Sequence, residues 1–261
     1  MQASTTKTAA DLLWQHWQAG TVFDTLPDEL RPNSRVEGYA IQKTLDHRTA
    51  KPLFGWKIAA TSTAGQHHIN VDGPLAGRIL IEQVVEDGAT VDLTTNRMRV
   101  AEAEFCFRMA RDLPARSAPY SVDEAMAAVG SLHPAIEIPD SRFTDFTKAG
   151  AAQLIADNAC AHQFMLGNAT RIDWRSLDLA AHQVSARITG KLEHKGAGAN
   201  VLGDPRIALA WIANELSGLG RGLKHGEIIT TGTSTVPVPI LPGDEVVADF
   251  GSIGKVSLRF R

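Results

Sequence analysis

The order of elements, helices first and short strands after, constrains the fold of this chain more than any other feature. DLLWQHWQAG carries Leu12, Leu13, Trp14 and Trp17 at helical spacing and stops at Gly20, a residue type that ends helices by turning left-handed. Ser34, with Glu37 three residues on, makes a capping box that predicts a second helix to about Ala50. Strands then dominate: FGWKIA, VAEAEFCF, and HPAIEI, the last following a helix capped at Ser121 with Glu124 in the box position. Further on come AHQFMLG, LAAHQVSARITG, EIITTG, DEVVADF and KVSLRF, parted by turns such as PGD and GSIG. One helix interrupts them, with Asp204 as cap and Pro205 at its first position, ahead of RIALAWIANEL. Strand and helix do not alternate, so the expected class is α+β rather than a doubly wound sheet. No repeat, low-complexity tract or linker divides the chain, so residues 1–261 are read as one domain with a helical segment, 1–50, packed on it.

Composition narrows the function. A net charge of −3 with scattered basic residues gives no electrostatic case for nucleic acid or an acidic membrane surface. No run approaches the roughly 18 apolar residues that span a bilayer, and MQASTTKTAADLLWQHW lacks the apolar core of a signal peptide. Cys106 and Cys160 stand in apolar contexts without metal-type spacing, which favours two reduced, buried thiols and a cytoplasmic protein. The expected partner is a small molecule, and the expected assembly a homo-oligomer.

The chemistry gathers in three places. In VAEAEFCF, Glu102 and Glu104 share one strand face, opposite Ala101, Ala103, Phe105 and Phe107. A half-solvated strand would look the same. If the face is interior, however, two carboxylates out of water repel one another unless a proton or cation intervenes. A hard divalent ion such as Mg²⁺ or Mn²⁺ supplies that charge through oxygen ligands. Glu137, between Ile136 and Ile138 in a strand ending at Pro139 and Asp140, is a third acid in an apolar setting. It could complete a facial oxygen set or simply point outward. Lys57 sits between the small residues Gly55 and Ala59 on one face of FGWKIAAT. A snorkelling surface lysine fits that pattern, as does an ammonium placed to stabilise developing negative charge.

GWKIAATS, AEAEF, PAIEIPDSR, IADNACAHQFMLG, VLGDPRIALAWIANEL, IITTGT and VPVPILPGD occur here in that order. The ordered set resembles the hydratase/decarboxylase branch of the fumarylacetoacetate hydrolase superfamily, over roughly residues 35 to 261. That resemblance implies a mixed, strongly curved β-roll with outer helices and a Mg²⁺ or Mn²⁺ site formed by Glu102, Glu104 and Glu137. It places Lys57 as the active-site lysine, and Leu75, Asp140 and Thr233 at the substrate pocket.

One departure matters. Family hydratases commonly read G-V-D-x-P-D-x-G, with the acid after proline in the active site. This chain reads NVDGPLAG, so Leu75 stands at the acidic position, and leucine can neither accept a proton nor make a charge-assisted bond to water. His67 and His68, in AGQHHINVD, are the candidate bases, because some hydrolases of the superfamily activate water with a histidine–glutamate pair on a mobile segment. Cys160 and Thr233 stand where the family often has serine.

The expected activity is metal-dependent addition of water to a 2-hydroxy-2,4-dienoate or 2-oxo-alkenoate, giving a 4-hydroxy-2-oxo acid, as in meta-cleavage degradation of aromatics. The alternatives are decarboxylation of a 2-oxo-3-hexenedioate, C–C hydrolysis of an acylpyruvate-type compound, and a non-catalytic partner subunit. Lys57→Ala is expected to fold normally, keep its metal and lose most turnover.

Overall fold

The computed structural model describes residues 1–49 and 51–261. Its helices are α1 (Ala3–Ala19), α2 (Arg35–Gln42), α3 (Thr63–His68), α4 (Val122–Met126), α5 (Ala151–Ala156) and α6 (Pro205–Gly218). The strands are β1 (Gly55–Ala59), β2 (Leu75–Ile79), β3 (Val84–Val85), β4 (Thr90–Val91), β5 (Val100–Met109), β6 (Val129–Ile138) and β7 (Gln163–Leu166). They continue with β8 (Gln183–Ile188), β9 (Leu192–Ala197), β10 (Ile228–Thr233), β11 (Val238–Pro239), β12 (Glu245–Asp249) and β13 (Lys255–Phe260).

Two mixed sheets result, and the class is α+β as expected. The larger runs β2-β1-β10-β5-β6-β7-β3, with β11 also on β5, and the smaller runs β4-β13-β12-β8-β9. Most pairs are antiparallel; β1 with β10, β3 with β7 and β13 with β4 are parallel. The long central pair β5–β6 is closed on both faces: Phe105, Cys106 and Phe107 are all buried, as are Ala135 and Ile136. That burial excludes the half-solvated reading of VAEAEFCF. Ala9, Ala10 and Leu13 of α1 join the same apolar core as the sheet residues.

Local signals placed several ends correctly. Gly20 takes φ 61 and its N–H bonds back into the last turn of α1. Asp204 caps α6 with Pro205 inside it, and the Ser121–Glu124 capping box is complete. The second helix is shorter than its pattern suggests. The Glu37 N–H donates to Ser34 Oγ, but the Glu37 carboxylate accepts from the Asn33 N–H instead of closing the box. α2 stops at Gln42 and tightens into a 3₁₀ turn, Lys43–His47, where Asp46 Oδ1 takes the Arg78 Nε–H at 2.8 Å. Tertiary pairing to β2 overrides the helical pattern there, and the expected end near Ala50 falls on a position outside the described residues.

β2 is a sheet edge, and an edge left bare invites further pairing. Side chains cover it. Tyr39 Oη accepts from the Ala76 N–H, and Gln42 Nε2 donates to the Ala76 carbonyl. The Asn158 carboxamide takes both backbone groups of Arg78.

Beneath α1 lies a small polar cluster. The Arg142 guanidinium stacks 4.3 Å from the Trp17 ring, which in turn lies 5.7 Å from the His162 ring. Burial, reinforced by the Arg142 charge, pushes the His162 imidazole down to about 3 from its usual 6.5. The unfolded chain therefore takes a proton below about 6.5 that the folded chain refuses until about 3. Stability should fall with acidification across that window, by up to about 1.4 kcal/mol per pH unit. His162→Gln should flatten this slope in urea denaturation at a series of pH values. An unchanged slope would mean another group carries the acid sensitivity.

Candidate metal centre

Cross-strand register brings the acids together. Glu102 of β5 lies directly opposite Glu137 of β6, and Glu104 follows two residues along the same face, where opposed Cβ atoms approach to about 5 Å. Each carboxylate offers an oxygen within 4.8 Å of the others. Glu104 and Glu137 are buried and Glu102 is partly exposed, so the cluster is closed on two sides and open at Glu102.

Lys57 reaches the cluster from β1. It is only 3% exposed, its Nζ lies 3.0 Å from Glu137 Oε1, and it donates to the Ala159 carbonyl at 3.0 Å. The surface reading of this lysine is thereby excluded. Burial favours the neutral amine, but the Glu137 and Glu102 charges override it and hold the ammonium above the usual lysine range.

β10 orients Glu104. Its pairing with β5 slips between Thr230 and Thr233, leaving Thr231 and Gly232 in a bulge. The bulge aims both the Thr230 hydroxyl and the Gly232 N–H, the latter at 2.8 Å, at Glu104 Oε2. Gly232 has φ +99, and a Cβ there would lie 2.1 Å from Thr61 Oγ1, so only glycine fits. The other oxygen, Glu104 Oε1, has no hydrogen-bond partner among the described residues, and neither has Glu137 Oε2.

Three carboxylates with one ammonium leave excess negative charge in a buried site. Burial pushes all three carboxyls up. For Glu104, Glu137 and Glu102 add repulsion; Glu137, where Lys57 opposes the burial, stands at about 7. Two orphaned buried oxygens, a hard all-oxygen donor set and unbalanced charge are what a divalent cation would satisfy. The residues fit a metal.

The remaining expected site residues lie as follows. Leu75 is fully buried opposite Ala59, on the face that Lys57 shares with Gly77. The Asp140 carboxylate accepts the backbone N–H groups of Arg97 and Met98, so it braces that turn. Thr233 pairs its backbone with Glu104 and donates its hydroxyl to the Thr235 carbonyl. His67 and His68 are both exposed at the end of α3, with the His68 ring 6.0 Å from Phe146. No contact joins either histidine to the acids among the described residues. Both cysteines are buried free thiols.

Comparison with known proteins gives this arrangement a family. A profile of the fumarylacetoacetate (FAA) hydrolase C-terminal family matches residues 51–261. The chain belongs to the fumarylacetoacetate hydrolase family. Within it, the chain is 32% identical over 255 residues to a 2-keto-4-pentenoate hydratase of Paraburkholderia xenovorans (strain LB400), covering 97% of this chain and 93% of that protein. It is 31% identical over 232 residues to a 4-oxalocrotonate decarboxylase of Pseudomonas sp. (strain CF600), covering 86% and 85% of the two. A solved 4-oxalocrotonate decarboxylase from Pseudomonas putida G7, complexed with magnesium and adipate, superposes with a TM-score of 0.91 at 26% identity, covering 100% of this chain and 99% of that one. The helical N-terminal segment is thus part of the shared fold. No helix among the described residues is long and apolar enough to cross a membrane.

Proposed function

We propose that this chain is a lyase that adds water to a 2-hydroxy-2,4-dienoate or 2-oxo-alkenoate in bacterial breakdown of aromatic compounds. The observation that carries the reading is the buried Glu102–Glu104–Glu137 set with the Lys57 ammonium 3.0 Å from one of its oxygens. In this reading the three acids hold Mg²⁺ or Mn²⁺, which when bound supplies Lewis-acid charge to the carboxylate end of the substrate.

Lys57 has the chain's part in stabilising charge. Two of its contacts, to Glu137 and to the Ala159 carbonyl, fix the ammonium, and its remaining N–H can donate to a substrate oxygen as that oxygen gains charge. Lys57 is buried, so this donor acts at low dielectric. The family resemblance also gives Leu75, Asp140 and Thr233 places at the substrate pocket, and of these Leu75 shares the Lys57 face. His67 or His68 on α3 is the candidate base for water. Residues 1–261 work as one domain, as a cytoplasmic homo-oligomer.

Decarboxylation of a 2-oxo-3-hexenedioate is the second reading, favoured by one observation. Leu75 cannot activate water, and loss of CO₂ needs no such base. One assay separates the two: 2-hydroxypentadienoate and 2-oxo-3-hexenedioate offered with Mg²⁺, with hydrated product and released CO₂ followed separately. Hydration is the expected dominant activity. If wild-type hydration is slow, Leu75→Asp should raise it, each tenfold gain being about 1.4 kcal/mol of barrier; if it is fast, Leu75 is a pocket wall and Leu75→Asp should harm binding. Faster CO₂ release by the wild type would overturn hydration in favour of decarboxylation.

A further inference from the structure

Asn158, Ala159 and Cys160 follow one another with φ of 57, 51 and 59. Three consecutive non-glycine residues in the left-handed region are disfavoured by Cβ–carbonyl crowding and persist only where surroundings impose them. Here they are imposed from two sides. The Asn158 side chain accepts the Arg78 N–H at 2.7 Å and donates to the Arg78 carbonyl at 2.9 Å, occupying the open edge of β2 as another strand would. On the other side the Asp157 carboxylate accepts from Ser141 Oγ and the Arg142 N–H, while Arg142 Nη2 donates to the Asp157 carbonyl. Gly77 leaves the space, since a Cβ there would stand 2.3 Å from the Asn158 carbonyl oxygen.

This turn delivers one group to the candidate site, the Ala159 carbonyl, which takes the Lys57 ammonium at the same 3.0 Å as Glu137. In a right-handed turn that carbonyl would point elsewhere, leaving Glu137 as the ammonium's one described anchor.

We propose that Asn158 is a positioning residue: its carboxamide clamps the left-handed turn so that the Ala159 carbonyl aims the Lys57 ammonium at the substrate. The proposal rests on the role given to Lys57 above. Asn158→Ala removes the clamp. Asn158→Gly removes it too, while keeping a backbone that tolerates positive φ, and so serves if the alanine variant does not fold.

The expected results are as follows. Either Asn158 variant loses about tenfold or more in kcat on 2-hydroxypentadienoate, the scale of one misaligned donor. KM and calorimetric Mg²⁺ affinity stay near wild type. A crystal structure of the variant shows Lys57 Nζ parted from the Ala159 oxygen. A role in stability alone would lower the melting temperature and leave kcat per folded molecule unchanged. That result, or a variant crystal in which Lys57 and the Ala159 carbonyl stay in contact, overturns the proposal. If the wild type turns over none of the dienoates, the reaction reading fails, and the crystal separation alone then decides the clamp.

Discussion

Glu104→Gln should abolish metal binding and, in the same protein, raise the stability of the metal-free form. Both halves follow from one geometry. Glutamine keeps an oxygen to accept from Thr230 and Gly232, as Glu104 Oε2 does, but puts an amide where the orphaned Oε1 stands. An N–H donor cannot ligate a cation. The affinity loss should exceed the 10–100-fold typical of removing a supporting hydrogen bond. Without metal, however, Glu104 is a buried acid facing two others, and its removal relieves repulsion. Glutamine carries no charge for burial and the neighbouring acids to oppose, so the metal-free form should gain stability. Mg²⁺ titration calorimetry and urea denaturation in chelator measure the two halves. Retained affinity, or a metal-free variant less stable than wild type, would contradict the arrangement.

Lys57→Met should lower kcat by about 10²–10³-fold, the cost of one well-placed donor to a developing oxyanion. The sequence pattern suggested that loss of this lysine would leave folding untouched. Its burial and its ion pair with Glu137 change that expectation. Removing one partner of a buried pair leaves the other uncompensated, at about 3–5 kcal/mol. The metal-free variant should therefore melt well below wild type, and saturating Mg²⁺ should return part of the difference by neutralising Glu137. Equal melting temperatures without metal would show that Glu137 does not depend on Lys57. Unchanged kcat would remove Lys57 from the chemistry.

What could be read in the sequence was what local chemistry decides. Gly20, Ser121 with Glu124, and Asp204 with Pro205 signal their own helix ends because a cap is made within a few residues. The E-x-E pair announces a shared face because strand side chains alternate. Nothing local says which strand lies opposite, so the pairing of Glu102 with Glu137 could come only from the ordered family motifs. Burial is likewise set by neighbours. The local pattern of Lys57 fits a surface lysine as well as an active-site one, and only the packed sheet, which closes over Lys57 and Leu75 alike, decides between them. The resemblance implied a pocket place for Asp140, and nothing local shows that its carboxylate is engaged by the 97–98 turn. Thr230 and Gly232 were missed although TTGT carries a glycine inside a strand, the usual mark of a bulge. Of the three left-handed residues in DNAC only Asn158 is a type that favours that region, and the Arg78 edge that holds it is eighty positions away.

The central claim is that one divalent cation sits among three carboxylates. Crystals soaked in Mn²⁺ and measured for anomalous scattering test it directly. The expected result is a single strong peak about 2.0–2.4 Å from an oxygen of each of Glu102, Glu104 and Glu137. Carboxylates that stay clustered with no peak between them, or manganese bound elsewhere, would contradict it.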